Sequence, residues 1–362
     1  MSNRHYIIPV FVPQIGCPHA CVFCNQDSIT GEAGVAGSTG KIDGPYVEET
    51  IKSYLETING DNAVVEVSFF GGTFTGINMC KQRELLAVAQ KYKSMGKIKY
   101  IRLSTRPDYI DEKILDHLKS FDVDIIELGV QSLDEEVLHR SGRGHSAVDV
   151  VKASSLINKY GFTLGHQIML GLPGDTREKD IETVKKSIAM KPAICRIYPS
   201  LVIKNTPMET LFLRGEYAPY SLEEAVQISK EIYGMLEASD IKVIRIGLQP
   251  TEEINVDGDI VAGPFHPAFR ELVESSIYCD IINEAAGKSM NNSLEVHINP
   301  KDISILYADK KKNFNGLREI NPDRKFKIVQ DEKISRGTLG FVREEGIDLV
   351  SEKGYFSAKY NK

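Results

Sequence analysis

The sequence lacks several features that would assign it to a class at once. No stretch approaches the roughly 18 consecutive apolar residues of a membrane-spanning helix, and the start, MSNRHYIIPV, has neither the apolar core nor the cleavage site of a secretory signal. Six cysteines in 362 residues are too sparse for the disulfide framework of a small secreted fold. These absences predict a cytoplasmic protein with no membrane attachment.

An excess of one charge is also missing. The chain has 44 basic and 50 acidic residues, a formal net charge of −6. There is thus no overall basic field for nucleic acid, although a local basic groove remains possible. Hydrophobic residues make up 42% and charged residues 26%, which is ordinary for a globular protein with a large core. Composition alone therefore does not indicate a function, and the sequence motifs must be considered.

The most informative motif is a cysteine cluster. Cys17, Cys21 and Cys24 stand in C-P-H-A-C-V-F-C, just after the apolar run 7–12. Iron–sulfur cubanes normally take one cysteine per iron, so three ligands would leave one iron of a four-iron cluster open. Structural zinc is the alternative, but it needs four ligands, and no second pair follows. Three further cysteines stand singly and are predicted to be small buried residues: Cys80, Cys195 and Cys279.

Short aliphatic runs alternate with helical patterns along most of the chain, which predicts a parallel α/β sheet. The predicted strands are Tyr6–Val12, Val64–Phe70, Tyr100–Ser104, Asp124–Gly129, Thr163–Met169, Ile194–Pro199 and Val243–Gln249. The predicted helices between them are Tyr46–Thr57, Met79–Ser94, Asp111–Lys119, Ala147–Tyr160, Arg177–Met190 and Ser221–Ala238. Six or seven such units make a partial or near-complete (β/α) barrel, whose active site lies at the carboxyl ends of its strands.

The rhythm changes toward the C-terminus. Pro267–Ala286 reads as an amphipathic helix, and three strand-like runs follow: Leu294–Ile298, Lys325–Gln330 and Thr338–Val342. We therefore predict a barrel domain over residues 1–250 and a small α+β extension over residues 251–362. The run Lys310–Lys312 within the extension is a solvated surface or a phosphate-facing patch.

The cysteine spacing C-x3-C-x2-C after a first strand resembles the radical S-adenosylmethionine (SAM) superfamily. The resemblance implies a [4Fe-4S] cluster on Cys17, Cys21 and Cys24, with SAM on the open iron and a 5′-deoxyadenosyl radical as the product of its reductive cleavage. Gly71, Gly72 and Thr73 follow the second strand and resemble the glycine-rich motif that binds the methionyl amino group. Many members have an acidic residue where this sequence has Thr73.

A longer set of runs gives a narrower resemblance. ELGVQSLDEEVLHRSGRGHSAVDVVKAS, GHQIMLGLPGD, RIYPSLVIKNTPMETL and IRIGLQP are similar to the radical SAM core of the catalytic subunit of the Elongator complex. That family modifies wobble uridines in tRNA and joins a radical SAM core to an acetyltransferase domain. The similarity covers roughly residues 9–250. We find no Q/R-x-x-G-x-G/A loop for acetyl-CoA and no N-terminal tRNA-binding extension, so we expect no acetyl-CoA binding.

Polar residues at the strand ends complete the predicted site. Gln131 and Gln167 are predicted near the ribose of SAM, although a neighbouring backbone group could equally satisfy Gln167. The other candidates are four substrate contacts and two catalytic residues: Arg143, His145, Arg245 and Gln249, then Lys204 and Tyr198.

The sequence thus predicts a radical SAM enzyme that functionalises a C–H bond, with a tRNA nucleobase as the first candidate substrate. A small metabolite is the alternative substrate. A non-catalytic iron–sulfur or RNA-binding protein is the alternative from another class. An enzyme of this kind also needs an electron donor such as flavodoxin or ferredoxin.

Overall fold

The computed structural model describes residues 4–12, 17, 21–25, 42–58, 63–250, 254–255, 258–289, 291–344 and 346–360. They form two compact units, Met1–Pro219 with Gln249–Gly263, and Tyr220–Leu248 with Pro264–Lys362. This division differs from the predicted boundary at residue 250. The reason is that the helix Leu222–Ala238 packs against two helices of the C-terminal part, Phe269–Gly287 and Glu352–Tyr360.

The first unit has a parallel sheet whose six main strands pair in chain order. They are β1 (His5–Val12), β2 (Val64–Gly71), β3 (Tyr100–Thr105), β4 (Ile125–Gln131), β5 (Thr163–Leu170) and β6 (Ile194–Pro199). The helices are α1 (Gly44–Thr57), α2 (Met79–Ser94), α3 (Glu112–Ser120), α4 (Glu135–Arg140), α5 (Ala147–Tyr160), α6 (Arg177–Ala189) and α7 (Pro207–Leu213). A short antiparallel pair joins β7 (Val202–Ile203) to β9 (Ile260–Ala262).

The two faces of this sheet differ in chemistry because strand side chains alternate. On β2, Val65, Val67 and Phe69 belong to the large apolar core that the helices cover. Glu66 and Ser68 point to the opposite face and are fully buried there. The helices begin at side-chain caps, such as the capping box of Ser146 at α5. The fold therefore separates an apolar outer layer from a polar inner face.

The second unit contains α8 (Leu222–Ala238), β8 (Lys242–Ile246), α9 (Phe269–Gly287), β10 (Ser293–Ile298), α10 (Ile303–Leu306), α11 (Ala308–Glu319), β11 (Lys325–Gln330), β12 (Thr338–Arg343), β13 (Gly346–Ser351) and α12 (Glu352–Tyr360). Its four-stranded sheet has the order β11-β10-β12-β13. The capping box of Ser221 and Glu224 opens α8, as the sequence predicts. Within α11, residues 309–311 have left-handed backbone angles that kink the helix.

The predicted α/β partial barrel with an α+β extension is confirmed. Within the part of the chain that the structure describes, no helix is long and apolar enough to cross a membrane. Cys195 and Cys279 are buried as predicted, but the prediction for Cys80 is wrong because it is exposed at the start of α2. The pair β7 and β9, the strand β13 and the helix α12 were not predicted.

Candidate active site

The cysteine loop leaves the carboxyl end of β1 and is held by neighbouring loops. The backbone N–H of Val22 donates to the carbonyl oxygen of Ser141 at 3.1 Å, and the N–H of Met208 donates to that of Val22 at 2.9 Å. The side chains of Val22 and Phe23 pack against the buried cluster of Val202, Met208 and Tyr217. The segment between Cys21 and Cys24 is therefore fixed from two sides.

The sulfurs of Cys17 and Cys21 each lie close to a polar side chain. Cys17 Sγ lies 2.9 Å from the hydroxyl oxygen of Thr73. Cys21 Sγ accepts from Nη1 of Arg143 at 3.2 Å, while Nη2 of the same guanidinium donates to the carbonyl oxygen of Gly129 at 2.7 Å. Thr73 and Arg143 are both buried. The end of β2 and the loop after α4 therefore converge on the cysteine loop.

The glycine pair after β2 sets this geometry through the backbone. Gly71 has φ +99°, and a Cβ atom built there would lie 2.4 Å from the carbonyl oxygen of Val12, the last residue of β1. The backbone N–H of Gly72 donates to that same oxygen at 2.8 Å. The amide of Gly72 therefore holds the turn to the end of β1.

Replacing Gly71 by alanine should lower stability and iron loading together. The methyl group must displace the end of β1, which carries the cysteine loop, and the positive φ adds about 1–2 kcal/mol of strain. Urea unfolding and iron content after reconstitution measure the two effects. G161A is the matched control, since Gly161 has φ +79° but open space around its Cβ position. Equal losses of iron in both variants would contradict the clash.

Among the described residues, five buried polar atoms near the cysteine loop lack a hydrogen-bond partner. They lie on residues at the carboxyl ends of β3 and β4 and in the loop after α4: Nη1 of Arg106, Oε1 of Gln131, Oγ of Ser141, Nε of Arg143 and Nδ1 of His145. An unpaired buried polar atom is costly unless a ligand or water completes its hydrogen bonds. Their grouping beside three cysteines fits a ligand with both charged and neutral polar groups.

The backbone at Gln131 is strained. It is the last residue of β4 and has φ +63°, and the pairing of β4 with β5 shifts register between Gly129 and Gln131. Its Nε2 lies close to Gly129, where an added Cβ atom would meet it at 3.1 Å and Nη2 of Arg143 at 3.2 Å. Strain of this kind concentrates at functional sites. The bulge therefore orients Gln131 next to Arg143.

His145, a predicted substrate contact, lies buried beside two arginines. Its burial, with the added charges of Arg143 and Arg106, lowers its pKa to about 3. The imidazole is therefore neutral near pH 7. Nε2 lies 3.3 Å from the carbonyl oxygen of Val130, so Nε2 carries the proton and Nδ1 is the acceptor. His145 can thus accept a hydrogen bond but cannot attract a phosphate by charge.

Deeper on the inner face, one charged or amide side chain from each of β2 to β6 forms a polar belt: Glu66, Arg102, Glu127, Gln167 and Arg196. Glu127 is its centre. It accepts from Arg102, from Nε and Nη2 of Arg196 at 2.7 and 3.1 Å, and from Nε2 of Gln167 at 2.8 Å. Arg102 also donates to Glu66 at 2.9 Å. Two carboxylates balance two guanidinium groups.

The belt keeps Glu127 ionised although it is buried. Burial alone would raise the pKa of Glu127, but Arg196 and Arg102 outweigh that effect and lower it. Gln167 also donates to Ser104 at 3.2 Å, so two side chains satisfy its amide nitrogen. Glu66, Arg102 and Arg196 were not predicted as site residues from the sequence. The signal for them was a charged residue inside an otherwise apolar strand.

The other predicted residues lie in different settings. Tyr198, at the end of β6, is half-buried and hydrogen-bonds with Arg196. Nζ of Lys204 donates to the carbonyl oxygen of Gly258 at 2.7 Å, in an exposed position beside β7. Arg245 is half-buried in β8 of the second unit, and Gln249 is exposed in the first.

His166 supports a prediction on acid stability. It is buried on β5 between the hydroxyl groups of Ser154 and Ser187, at 3.0 and 2.8 Å, and burial lowers its pKa to about 3. In the unfolded chain the imidazole of His166 takes up a proton near pH 6.5, whereas in the folded protein it stays neutral down to about pH 3. The stability that the neutral imidazole contributes is therefore complete above pH 6.5 and is lost as the pH falls toward 3. Between pH 7 and 5 the stabilisation relative to H166Q should fall by about 2 kcal/mol, measured by urea unfolding. A pH-independent difference would contradict this.

The donor set fits an iron–sulfur cluster with SAM. Three cysteines on one loop are the ligands such a cluster uses, and the unpaired atoms of Gln131 and Arg143 lie beside the loop. Among the described residues, no three His, Cys, Asp or Glu side chains are arranged to hold a single metal ion.

Comparison with known families agrees with this site. The radical SAM superfamily matches residues 11–186, and the radical SAM C-terminal domain matches residues 192–278. The chain belongs to the radical SAM superfamily. It is therefore an enzyme of that superfamily, whose cofactors are a [4Fe-4S] cluster and SAM, and its reaction class is open.

Its relatives include proteins of tRNA modification. The tRNA uridine(34) acetyltransferase of Methanocaldococcus infernus is 30% identical over 256 residues, which cover 61% of this chain and 48% of that protein. Human Elongator complex protein 3 is 31% identical over 282 residues, or 74% and 50% of the two chains. The chain spans about half the length of these relatives. The structure of M. infernus Elp3 with an N-terminal deletion shares the fold, with a TM-score of 0.60, 23% identity and coverage of 79% and 64%.

Proposed function

We propose that this protein cleaves SAM reductively and uses the resulting radical on a C–H bond of a tRNA uridine. The observation that carries the proposal is the group of unpaired buried atoms beside the cysteine loop, on Arg106, Gln131, Arg143 and His145. The substrate class rests on the relatives named as tRNA uridine(34) acetyltransferase and Elongator complex protein 3. We place the activity in the cytoplasm, with flavodoxin or ferredoxin as the electron donor.

Different residues of the site would bind the cluster and SAM. Cys17, Cys21 and Cys24 would hold the cluster, which together with SAM supplies a 5′-deoxyadenosyl radical when bound. Arg143 and Gln131 would complete their hydrogen bonds on the polar groups of SAM. His145, being neutral, would accept a hydrogen bond through Nδ1. The buried walls exclude water from the reacting atoms.

The polar layer below would receive the reacting part of the substrate. Ser104 and Tyr198 hydrogen-bond with the belt residues Gln167 and Arg196, and the charges of the belt are balanced. A charge-balanced belt favours a neutral polar group, such as a nucleobase, over a phosphate or a carboxylate. We therefore assign the substrate's neutral end to this layer and leave Lys204, Arg245 and Gln249 as candidates for outer contacts.

A small metabolite is the second candidate substrate, and one observation favours it. Three basic residues that could contact phosphate already have partners: Arg143 binds Cys21, Lys204 binds a carbonyl oxygen, and Lys312 pairs with Glu223 at 2.8 Å. His145 is neutral. RNA affinity from these residues should therefore be weak, since phosphate contacts need free cations.

The test is anaerobic reconstitution with iron and sulfide, followed by SAM, dithionite and one of three additions: bulk tRNA, RNase-digested tRNA or a metabolite extract. We expect 5′-deoxyadenosine in every arm, and a rate above that of SAM alone only with intact tRNA, because abstraction of a hydrogen atom from the substrate consumes the radical. A higher rate only with the extract would overturn the RNA substrate. A loaded cluster that yields no 5′-deoxyadenosine would support the non-catalytic alternative.

A further inference from the structure

Arg143 and Thr73 have a relation to the cysteine loop that differs from ligand binding. Each directs a polar hydrogen-bonding group at a cysteine sulfur that is a cluster ligand, Arg143 at Cys21 and Thr73 at Cys17. Both partners come from elements distant in sequence, and both are buried. We infer that these two side chains set the reduction potential of the cluster by donating hydrogen bonds to its ligand sulfurs.

The physical argument is electrostatic. Reduction adds an electron to the cluster and its thiolates, so a donor directed at a thiolate stabilises the reduced form more than the oxidised form. A hydrogen bond from a charged group is about twice as strong as a neutral one, and burial strengthens it further. Arg143 is only 6% exposed, so water screens its charge poorly. Both donors should therefore raise the potential, and Arg143 should do so more.

The role of Thr73 as a hydrogen-bond donor follows more directly than that of Arg143, because its hydroxyl faces the sulfur of Cys17 and its backbone is fixed. Once Cys17 is a thiolate, the hydroxyl of Thr73 must be the donor across the 2.9 Å contact. The glycine pair before it fixes its backbone against β1. A carboxylate in this position would repel the thiolate, whereas a hydroxyl donates to it. The threonine thus couples the glycine-rich turn to the electronic state of the cluster.

Arg143 is held so that it can serve this purpose. Nη2 is anchored by the carbonyl oxygen of Gly129, which leaves Nη1 directed at Cys21 Sγ. An added Cβ atom at Gly129 would lie 3.2 Å from Nη2, so a side chain there would press against the guanidinium group. The unpaired Nε remains available to SAM. One guanidinium group can therefore bind the ligand and tune the cluster at the same time.

The inference requires a cluster on the three cysteines, but it does not depend on the tRNA substrate. The measurement is a redox titration of the reconstituted cluster followed by EPR in the absence of SAM, with iron content determined on the same samples. In T73V the ratio of reduced to oxidised cluster at a fixed potential should fall about tenfold, which is about 59 mV for one electron. T73S keeps the hydroxyl and should match the wild type. In R143Q the ratio of reduced to oxidised cluster should fall at least as far as in T73V.

Iron content separates the possible failures. Absence of a cluster in the wild-type protein would refute the proposed site itself. Full iron content with a wild-type potential in T73V and R143Q would overturn the inference alone. If R143Q does not load, pulsed EPR of the wild-type cluster with 15N-labelled arginine decides the role of Arg143, because a donor at Cys21 must give a nitrogen coupling. Absence of a nitrogen coupling would overturn the assignment of Arg143 as a donor to Cys21.

Discussion

Replacing Glu127 by glutamine should be the most destabilising single change on the inner face of the sheet. Glu127 is the shared acceptor of Arg102, Arg196 and Gln167 and is almost completely buried. Removing its charge leaves two buried guanidinium groups with one carboxylate between them. Breaking a buried ion pair in this way costs about 3–5 kcal/mol, which urea unfolding at neutral pH would measure.

A matched control is available on the surface. Glu136 also pairs with two cations, Lys179 and Arg140, but its side chain is 59% exposed. E136Q should therefore cost at most about 1 kcal/mol. A loss in E127Q no larger than that in E136Q would refute the central position of Glu127 in the belt.

A double variant tests whether the loss comes from unpaired charge. Substituting both Glu127 by leucine and Arg196 by methionine removes one carboxylate and one guanidinium, while Glu66 still pairs with Arg102. Because replacing a whole buried pair by apolar residues is often neutral, this variant should be more stable than E127Q. Additive losses would instead mean that the two residues act independently.

The sequence predicted the order of the strands well because buried parallel strands have a strong local signature. The strand over 194–199 and the helices over 79–94 and 147–160 have the bounds that their apolar patterns and caps predicted. The strand predicted over 243–249 is present over Lys242–Ile246, so the main difference is its end, three residues earlier than predicted.

The three cysteine ligands could be predicted from the sequence, but the residues that contact and orient them could be predicted less well. The spacing of the three cysteines identified the cluster, because the motif is short and local. The contact of Arg143 with Cys21 joins residues 122 positions apart, and the sequence suggested an outer contact with substrate for that arginine. The left-handed backbone of Gln131 comes from the bulge between β4 and β5. Neither feature can be obtained from spacing alone.

The polar belt, too, could not be predicted from the sequence alone. Charged residues within strands were visible in the sequence, but only the register of the sheet shows that they meet. Arg102 pairs in register with Ser68 and Ile125, and Gln167 with Gly129 and Arg196. These pairings bring side chains from five strands within hydrogen-bond distance. Their charge balance follows from the pairing of strands distant in sequence.

Replacing Cys21 by alanine should abolish the cluster and the cleavage of SAM together. Cys21 is the buried member of the three ligands, and its sulfur is the acceptor for Arg143. Its loss leaves two protein ligands for a cluster that needs three, and it leaves a buried cation without its partner. Reconstituted wild-type protein should hold about four irons. C21A should show neither the cluster absorbance nor 5′-deoxyadenosine above the background without enzyme.

The control for this result is another cysteine of the same chain. Cys80 is an exposed residue at the start of α2, and C80A should retain full iron content and SAM cleavage. Circular dichroism distinguishes loss of the cluster from loss of the fold, because the α/β core lies largely in apolar contacts away from the loop. The decisive contrary result is a normal cluster in a variant with alanine at Cys17, Cys21 and Cys24. Such a cluster would have to use other ligands, and the assignment of the cysteine loop would then be wrong.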